Sequence, residues 1–231
     1  MTPLVLLPGM MCDARLFAPQ IAALSRTVPI ITAPIGGHDT MAALAAEVLA
    51  YAPPRFAVAG LSMGGILAME ILRHAPERIA GLALLDTNPL AETEEVKTRR
   101  GPQIEAVRTG GLRKVMAEEM KPNYLTRGPG REAILDLCME MALGLGPDVF
   151  ANQSKALRDR IDQTGTLRAY RGPALVLCGR EDVLCSVSRH ELMHGLMPQS
   201  RLEIVENAGH LPTLEQPQKT TAALNRWLET I

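Results

Sequence analysis

A serine set among glycines, "GLSMGG" at Gly60 to Gly65, follows the apolar run "RFAVA" and precedes the helix-like run "ILAMEILRHA". A hydroxyl is a weak nucleophile until a base takes its proton and a third group orients that base. G-x-S-x-G between strand and helix is the pattern in which a tight turn lifts such a hydroxyl clear of its sheet, small residues permitting close backbone approach. The following helix would also set its N-terminal dipole beside the negative charge that develops on attack. The plainer alternative is that Ser62 only caps that helix, a position serine suits equally well.

Five histidines could serve as base. His74 ends a helix-like run, and His190 and His194 lie one turn apart on another, which suits surface or helix-end positions. That pair lacks the glutamate of an H-E-x-x-H zinc site and a third ligand. His38 follows Gly36-Gly37 in a loop. His210 differs, because "ENAGHLPTLEQP" sets it in a glycine-containing loop between the last strand-like run and the last helix. The acid should also come from a strand end. "LVLCGREDVLCS" supplies Asp182 just past Gly179, and Asp86 after "GLALL" is its rival. Ser62, Asp182 and His210 then follow the chain order Ser, Asp, His.

These residues need a scaffold that presents strand ends together. "LVLLPG", "PIITAP", "RFAVAGL", "IAGLALLD", "PALVLCG" and "RLEIVEN" are short apolar runs bounded by turn residues, as expected of parallel strands buried on both faces. Helix-like segments separate them, beginning with one that Asp39 could cap. Strict alternation of strand and helix predicts right-handed crossovers and a doubly wound sheet. From about Asn88 to Arg171 the strand-like runs cease, and a Met-rich helical stretch is punctuated at Gly101-Pro102, Gly110-Gly111, Gly128-Pro129 and Gly146-Pro147. The expected organisation is an α/β core of residues 1–87 and 172–231, with residues 88–171 inserted as a helical cap or lid.

The chain has 231 residues, 47% of them hydrophobic, and a formal net charge of -1. That size supports one sizeable core. No dense basic run suggests nucleic acid, and "KTRRG" at Lys97 to Gly101, among Glu92, Glu94 and Glu95, suits a solvated helix face. The N-terminal apolar run is too short for a membrane span. Cys12, Cys138, Cys178 and Cys185 form no C-x-x-C pair, and free thiols fit a cytoplasmic protein. No phosphate loop, dinucleotide fingerprint or metal cluster calls for a cofactor. Monomer and homodimer are equally open.

With "GLSMGG", "GRED" and "NAGHLPTLEQP" in order at strand ends, the chain resembles the α/β-hydrolase superfamily over nearly its whole length. The likeness is strongest to small, short-capped bacterial esterases of the carrier-protein methyl ester esterase and enol-lactonase kind. The resemblance implies an α/β-hydrolase fold with a trimmed, mostly parallel sheet of about six strands, helices on both faces and the helical cap. It implies a serine hydrolase acting on a small carboxylic ester or lactone through an acyl-enzyme, with no metal. C–C bond or thioester cleavage by the same triad, or a ligand receptor with little turnover, are the alternatives. Many relatives carry His-Gly after the first strand; here Pro8-Gly9 stands instead. The family's oxyanion hole carries over to the backbone N–H groups of Met10 and Met63. Met11, Tyr124, Phe150 and Gln153 are expected on the substrate pocket, and most cap methionines are expected simply to pack the helices.

Overall fold

A computed structural model describes residues 2–231, so only the first residue of the expected core segment lies outside it. Six strands form one sheet: β1 (Leu4–Leu7), β2 (Ile30–Thr32), β3 (Phe56–Leu61), β4 (Ile79–Leu85), β5 (Ala174–Gly179) and β6 (Arg201–Val205). Their order is β2-β1-β3-β4-β5-β6, and every neighbouring pair is parallel. The expectation of about six mostly parallel strands thus resolves to six, all parallel.

Successive side chains leave a strand on opposite faces. Val5, Leu7, Val58, Leu82, Leu84 and Val176 accordingly join one apolar cluster, with Leu44 and Val48 of α2 (Met41–Tyr51), Leu67 of α3 (Met63–His74) and Met193 of α8 (Val187–Leu196). Leu4, Leu6, Ala57, Ala59, Leu85 and Leu177 join the other, with Leu24 of α1 (Ala18–Leu24) and Leu224 and Trp227 of α10 (Pro217–Leu228). Burial on both faces explains why these strands carry continuous apolar runs. The cap of α2 is Thr40, whose Oγ1 accepts from the Ala43 amide at 3.2 Å, and not the expected Asp39.

Between β4 and β5 the described chain is helical: α4 (Glu94–Ala106), α5 (Leu112–Val115), α6 (Arg131–Arg158) and α7 (Thr164–Ala169). Gly101-Pro102 lies inside α4 and does not break it; burial of Arg100 and Ile104 outweighs the weak propensities there. The break comes at Gly110, with φ of 96°. In α6, Gly146 at φ 83° bends the helix before Pro147. The second half of α6 then lies on the loop after β2, where Asn152 Nδ2 donates to Gly36 O and Gln153 Nε2 to Ile35 O, both at 3.1 Å. Among the described residues, no helix is long and apolar enough to cross a membrane.

Candidate active site

Register sets the site. Leu7 pairs with Gly60, Leu61 with Leu85, Leu85 with Leu177 and Gly179 with Val205, so five carboxyl ends share one edge. The loops leaving that edge carry Met10, Ser62, Asp86, Asp182 and His210.

Ser62 sits at the β3–α3 corner with φ 55° and ψ -116°, a conformation that L-residues rarely adopt and that the surrounding structure must enforce. The enforcement is visible. A Cβ on Gly60 would strike the backbone of Gly64, and one on Gly64 would strike the carbonyls of Leu7 and Pro8. Ser62 N–H donates to Leu85 O at 2.9 Å, and Thr87 Oγ1 donates to Ser62 O at 2.7 Å. The Ser62 side chain makes no capping hydrogen bond, so the plain capping role does not apply. It faces a cavity of about 490 Å³ that His210, Met10 and Tyr124 also line.

His210 is 4% exposed, in the loop between β6 and α9 (Pro212–Glu215). Its Nδ1 lies 2.8 Å from Asp182 Oδ2, which leaves Nε2 as the nitrogen available toward the cavity. Its backbone N–H donates to Tyr124 O at 2.7 Å. Glu215 fastens the loop, accepting the Gly209 and Leu211 amides on Oε2 at 2.9 and 3.2 Å and the Thr126 amide on Oε1 at 2.8 Å.

Asp182 Oδ1 accepts the amides of Leu184 and Cys185 at 2.8 and 3.0 Å. Burial pushes this carboxyl up, but the attraction and hydrogen bond of His210 and those two amides outweigh it and hold it below the usual carboxylate value. Asp86, the rival acid, lies fully buried beneath it. Asp86 Oδ1 accepts from the Gly179 amide at 2.9 Å, while Oδ2 is buried without a hydrogen-bond partner. Burial, then the charge of Asp182, drives the Asp86 carboxyl well above its ordinary value. Of the two carboxyls, Asp86 is therefore the one whose ionisation the site opposes, and Asp182 the one it favours. His210 contacts Asp182 and not Asp86.

The first loop runs against the serine: a Cβ on Gly9 would sit 3.6 Å from Ser62 Cβ. Among the described residues, neither the Met10 nor the Met63 amide donates to a protein acceptor. Met11 is strained at φ 56°, and its amide donates to Gln153 Oε1 at 2.8 Å.

The expected pocket residues divide. Tyr124 lines the cavity. Met11 and Phe150 are instead buried in the apolar core, and Gln153 is buried with its amide spent on Met11 and Ile35. The cause is the bend at Gly146, which turns the second half of α6 onto the sheet-side core. Of the cap methionines, Met116, Met139 and Met141 are core, and Met120 lines the cavity.

Two expectations about charged residues also change. Arg100 of "KTRRG" is no solvated residue: its side chain is 11% exposed and ion-paired to Glu92 on the cavity wall. His190 is fully buried, with Nδ1 on Ser186 O at 3.0 Å and Nε2 accepting the Thr87 amide at 3.1 Å; burial pulls it down to about 4. Cys185 Sγ shares a 4.8 Å cluster with the His210 and Asp182 donors. Both Asp182 oxygens already accept hydrogen bonds, and burial and the charge of Asp182 push the Cys185 thiol up. No local sequence signal marked Arg100, His190 or Glu215, because their partners come from distant segments.

The model of the alpha/beta hydrolase family matches residues 4–224. Among curated proteins, a biotin biosynthesis bifunctional protein of Cellvibrio japonicus is 22% identical over 99% of this chain, which spans about half (48%) of that protein's length. A pimeloyl-[acyl-carrier protein] methyl ester esterase of Xanthomonas axonopodis is 24% identical, covering 99% of this chain and 95% of its own. Among solved structures, a thermophilic esterase from Thermogutta terrifontis superposes with a TM-score of 0.90 at 29% identity, over 99% of this chain and 90% of that one.

Proposed function

We propose, for a chain that belongs to the alpha/beta hydrolase family, that it is a serine hydrolase cleaving a small carboxylic ester or lactone. The observation that carries this reading is Ser62, held in a strained turn with an uncapped hydroxyl, lining one cavity with His210 while Asp182 engages the far side of the imidazole. His210 Nε2 takes the Ser62 proton as Oγ attacks the carbonyl carbon, and later gives it to the leaving alcohol. Asp182 keeps the proton of neutral His210 on Nδ1 and stabilises the imidazolium. The amides of Met10 and Met63 receive the tetrahedral oxyanion, a contribution that in other enzymes is worth about 3 kcal/mol per donor. Water activated by His210 then releases the acyl group from Ser62. The esterase relatives support the ester class.

The test is a fluorophosphonate label read by mass spectrometry, with a series of p-nitrophenyl esters of rising chain length. Labelling should fall on Ser62, turnover should show an acyl-enzyme burst, and Ser62→Ala should abolish both. A Ser62→Ala protein with near wild-type turnover overturns the mechanism. Binding of esters without sustained turnover would favour a receptor.

A further inference from the structure

The cavity that Ser62 lines also has charged residues on its wall. Glu92 is one of them, 8% exposed at the side chain. Its Oε2 accepts Arg100 Nε at 2.8 Å together with Arg100 Nη2, and its Oε1 forms an ion pair with Arg160 Nη1 at 2.8 Å. Arg160, 7% exposed, is held further by Leu90 O, which accepts its Nε at 3.0 Å, and by Leu157 O, which accepts Nη1 at 3.4 Å. All three charged residues line the cavity that contains Ser62 and His210.

A structural tie between α4 and the end of α6 would need one guanidinium for one carboxylate. Here two guanidinium groups face one carboxylate, leaving a positive charge uncompensated in a sheltered place. Among the described residues, Arg160 Nη2 and Arg100 Nη1 find no acceptor, yet neither is among the atoms sealed away without a partner. Both atoms are accessible, on residues that line the cavity. Arg99 and Arg189 add positive charge to its wall, against Glu119 alone, which accepts the Gln103 amide at 2.7 Å. Burial pulls the Arg160 guanidinium below its usual value, and Glu92 only partly restores it. A buried charge without full compensation is costly, and an arriving anion removes that cost.

The cluster also lies near the reacting groups. The charges of Arg160 and Arg189 both act on the Cys185 thiol, whose sulfur is within 4.8 Å of the Asp182 and His210 donors.

We propose that the Arg100–Glu92–Arg160 cluster is a carboxylate-recognition site, and that the preferred substrate is a short ester carrying a free carboxylate, such as the half-ester of a dicarboxylic acid. The substrate carboxylate accepts from Arg160 Nη2 and Arg100 Nη1 while the ester carbonyl lies over Ser62. One carboxylate matches the single surplus charge of the three-residue cluster; a phosphate dianion would leave that cluster itself negative. This inference rests on the ester-hydrolase reading of Ser62.

The experiment compares monomethyl glutarate with dimethyl glutarate, and measures glutarate binding to Ser62→Ala protein by calorimetry. Wild-type protein should favour the half-ester at least about ten-fold in kcat/KM, the size of one charge-assisted hydrogen bond. Arg160→Gln should lower that preference about ten-fold, through KM. Glutarate should bind Ser62→Ala protein, more weakly as salt rises, with inorganic phosphate a poorer competitor. Equal or better turnover of the diester, no glutarate binding, or phosphate binding as tightly as glutarate overturns the proposal. Glutarate binding to wild-type protein that turns over neither ester would instead sink the hydrolase reading and leave the carboxylate site standing. If Arg160→Gln proves unfolded by circular dichroism, the substrate comparison and the glutarate titration still decide the matter.

Discussion

Asp86→Asn separates the preferred acid, Asp182, from its rival, since both carboxylates follow strands in the sequence. Asparagine keeps an oxygen to accept the Gly179 amide and removes the carboxyl whose ionisation burial and the charge of Asp182 oppose. The backbone at residue 86 has φ of 42°, a region asparagine enters more readily than most residues, so no new strain arises. The folded-state pKa of Asp86 is raised, by burial and then by Asp182, above its unfolded value of about 3.9. Between those two values the native protein binds more protons than the unfolded chain, so the stability contributed by Asp86 is full below about pH 3.9 and is lost as pH rises. Wild-type protein should therefore lose about 1.4 kcal/mol per pH unit relative to Asp86→Asn while Asp86 remains protonated. Urea unfolding of both proteins at half-unit steps from pH 4.5 to 7 measures this divergence. Turnover of a p-nitrophenyl ester by Asp86→Asn should stay within a few-fold of wild type. Asp182→Asn should lower kcat by orders of magnitude, because an amide there favours the wrong His210 tautomer. Parallel stability curves would refute the protonated Asp86. A collapse of kcat in Asp86→Asn with a mild Asp182→Asn would transfer the catalytic acid to β4.

Gln153→Leu leaves the Met11 amide and the Ile35 carbonyl buried without partners, at a cost of about 1–3 kcal/mol each, so it should lower both the urea midpoint and kcat as the Met10 loop relaxes. Unchanged kcat would mean that the loop holds its shape without Gln153. Glu215→Gln replaces one acceptor of the His210 loop by an N–H donor, and should reduce kcat at least ten-fold with a melting temperature lower by several degrees. His190, pulled down to about 4 from an ordinary value near 6.5, makes the native state bind fewer protons than the unfolded chain between those pH values. Stability should fall by up to about 1.4 kcal/mol per unit as pH drops through that window, and His190→Gln should flatten the slope in acid unfolding.

How much could be read without the structure follows from whether a signal is local. Each strand is an apolar run because both its faces are covered, so six runs gave six strands. Ser62, Asp182 and His210 sit in short motifs at strand ends, and parallel register alone carries them to one edge. The choice between Asp86 and Asp182 was not local: both follow strands, and only the loop after β6 decides which one His210 reaches. The pocket wall was less legible still. Whether Phe150 and Gln153 face cavity or core depends on the bend at Gly146, and sequence marks that position as a break without giving its direction. Arg100 reads as surface because its helix has charge on every side, and its burial comes from Glu92 and Arg160, which no spacing rule connects.

The same contacts limit how the insertion can behave as a lid. The segment after α5 is fastened to the catalytic loop, through Tyr124 O to the His210 amide and the Thr126 amide to Glu215. Beyond Gly146, α6 is fastened to the loop after β2 by Asn152 and Gln153. Gln163, just before α7, donates to Glu70 of α3 at 2.6 Å. An insertion held at these points cannot lift from the sheet as one body without unmaking buried hydrogen bonds around His210 and the Met10 loop. Opening that spares the catalytic groups is left to α4 and α5, which meet at the Gly110 turn. α4 is tied by Arg100 to Glu92, just before its start, and through Glu92 to Arg160 just past the end of α6. Under the proposed reading, a substrate carboxylate joins the two guanidinium groups and strengthens that tie.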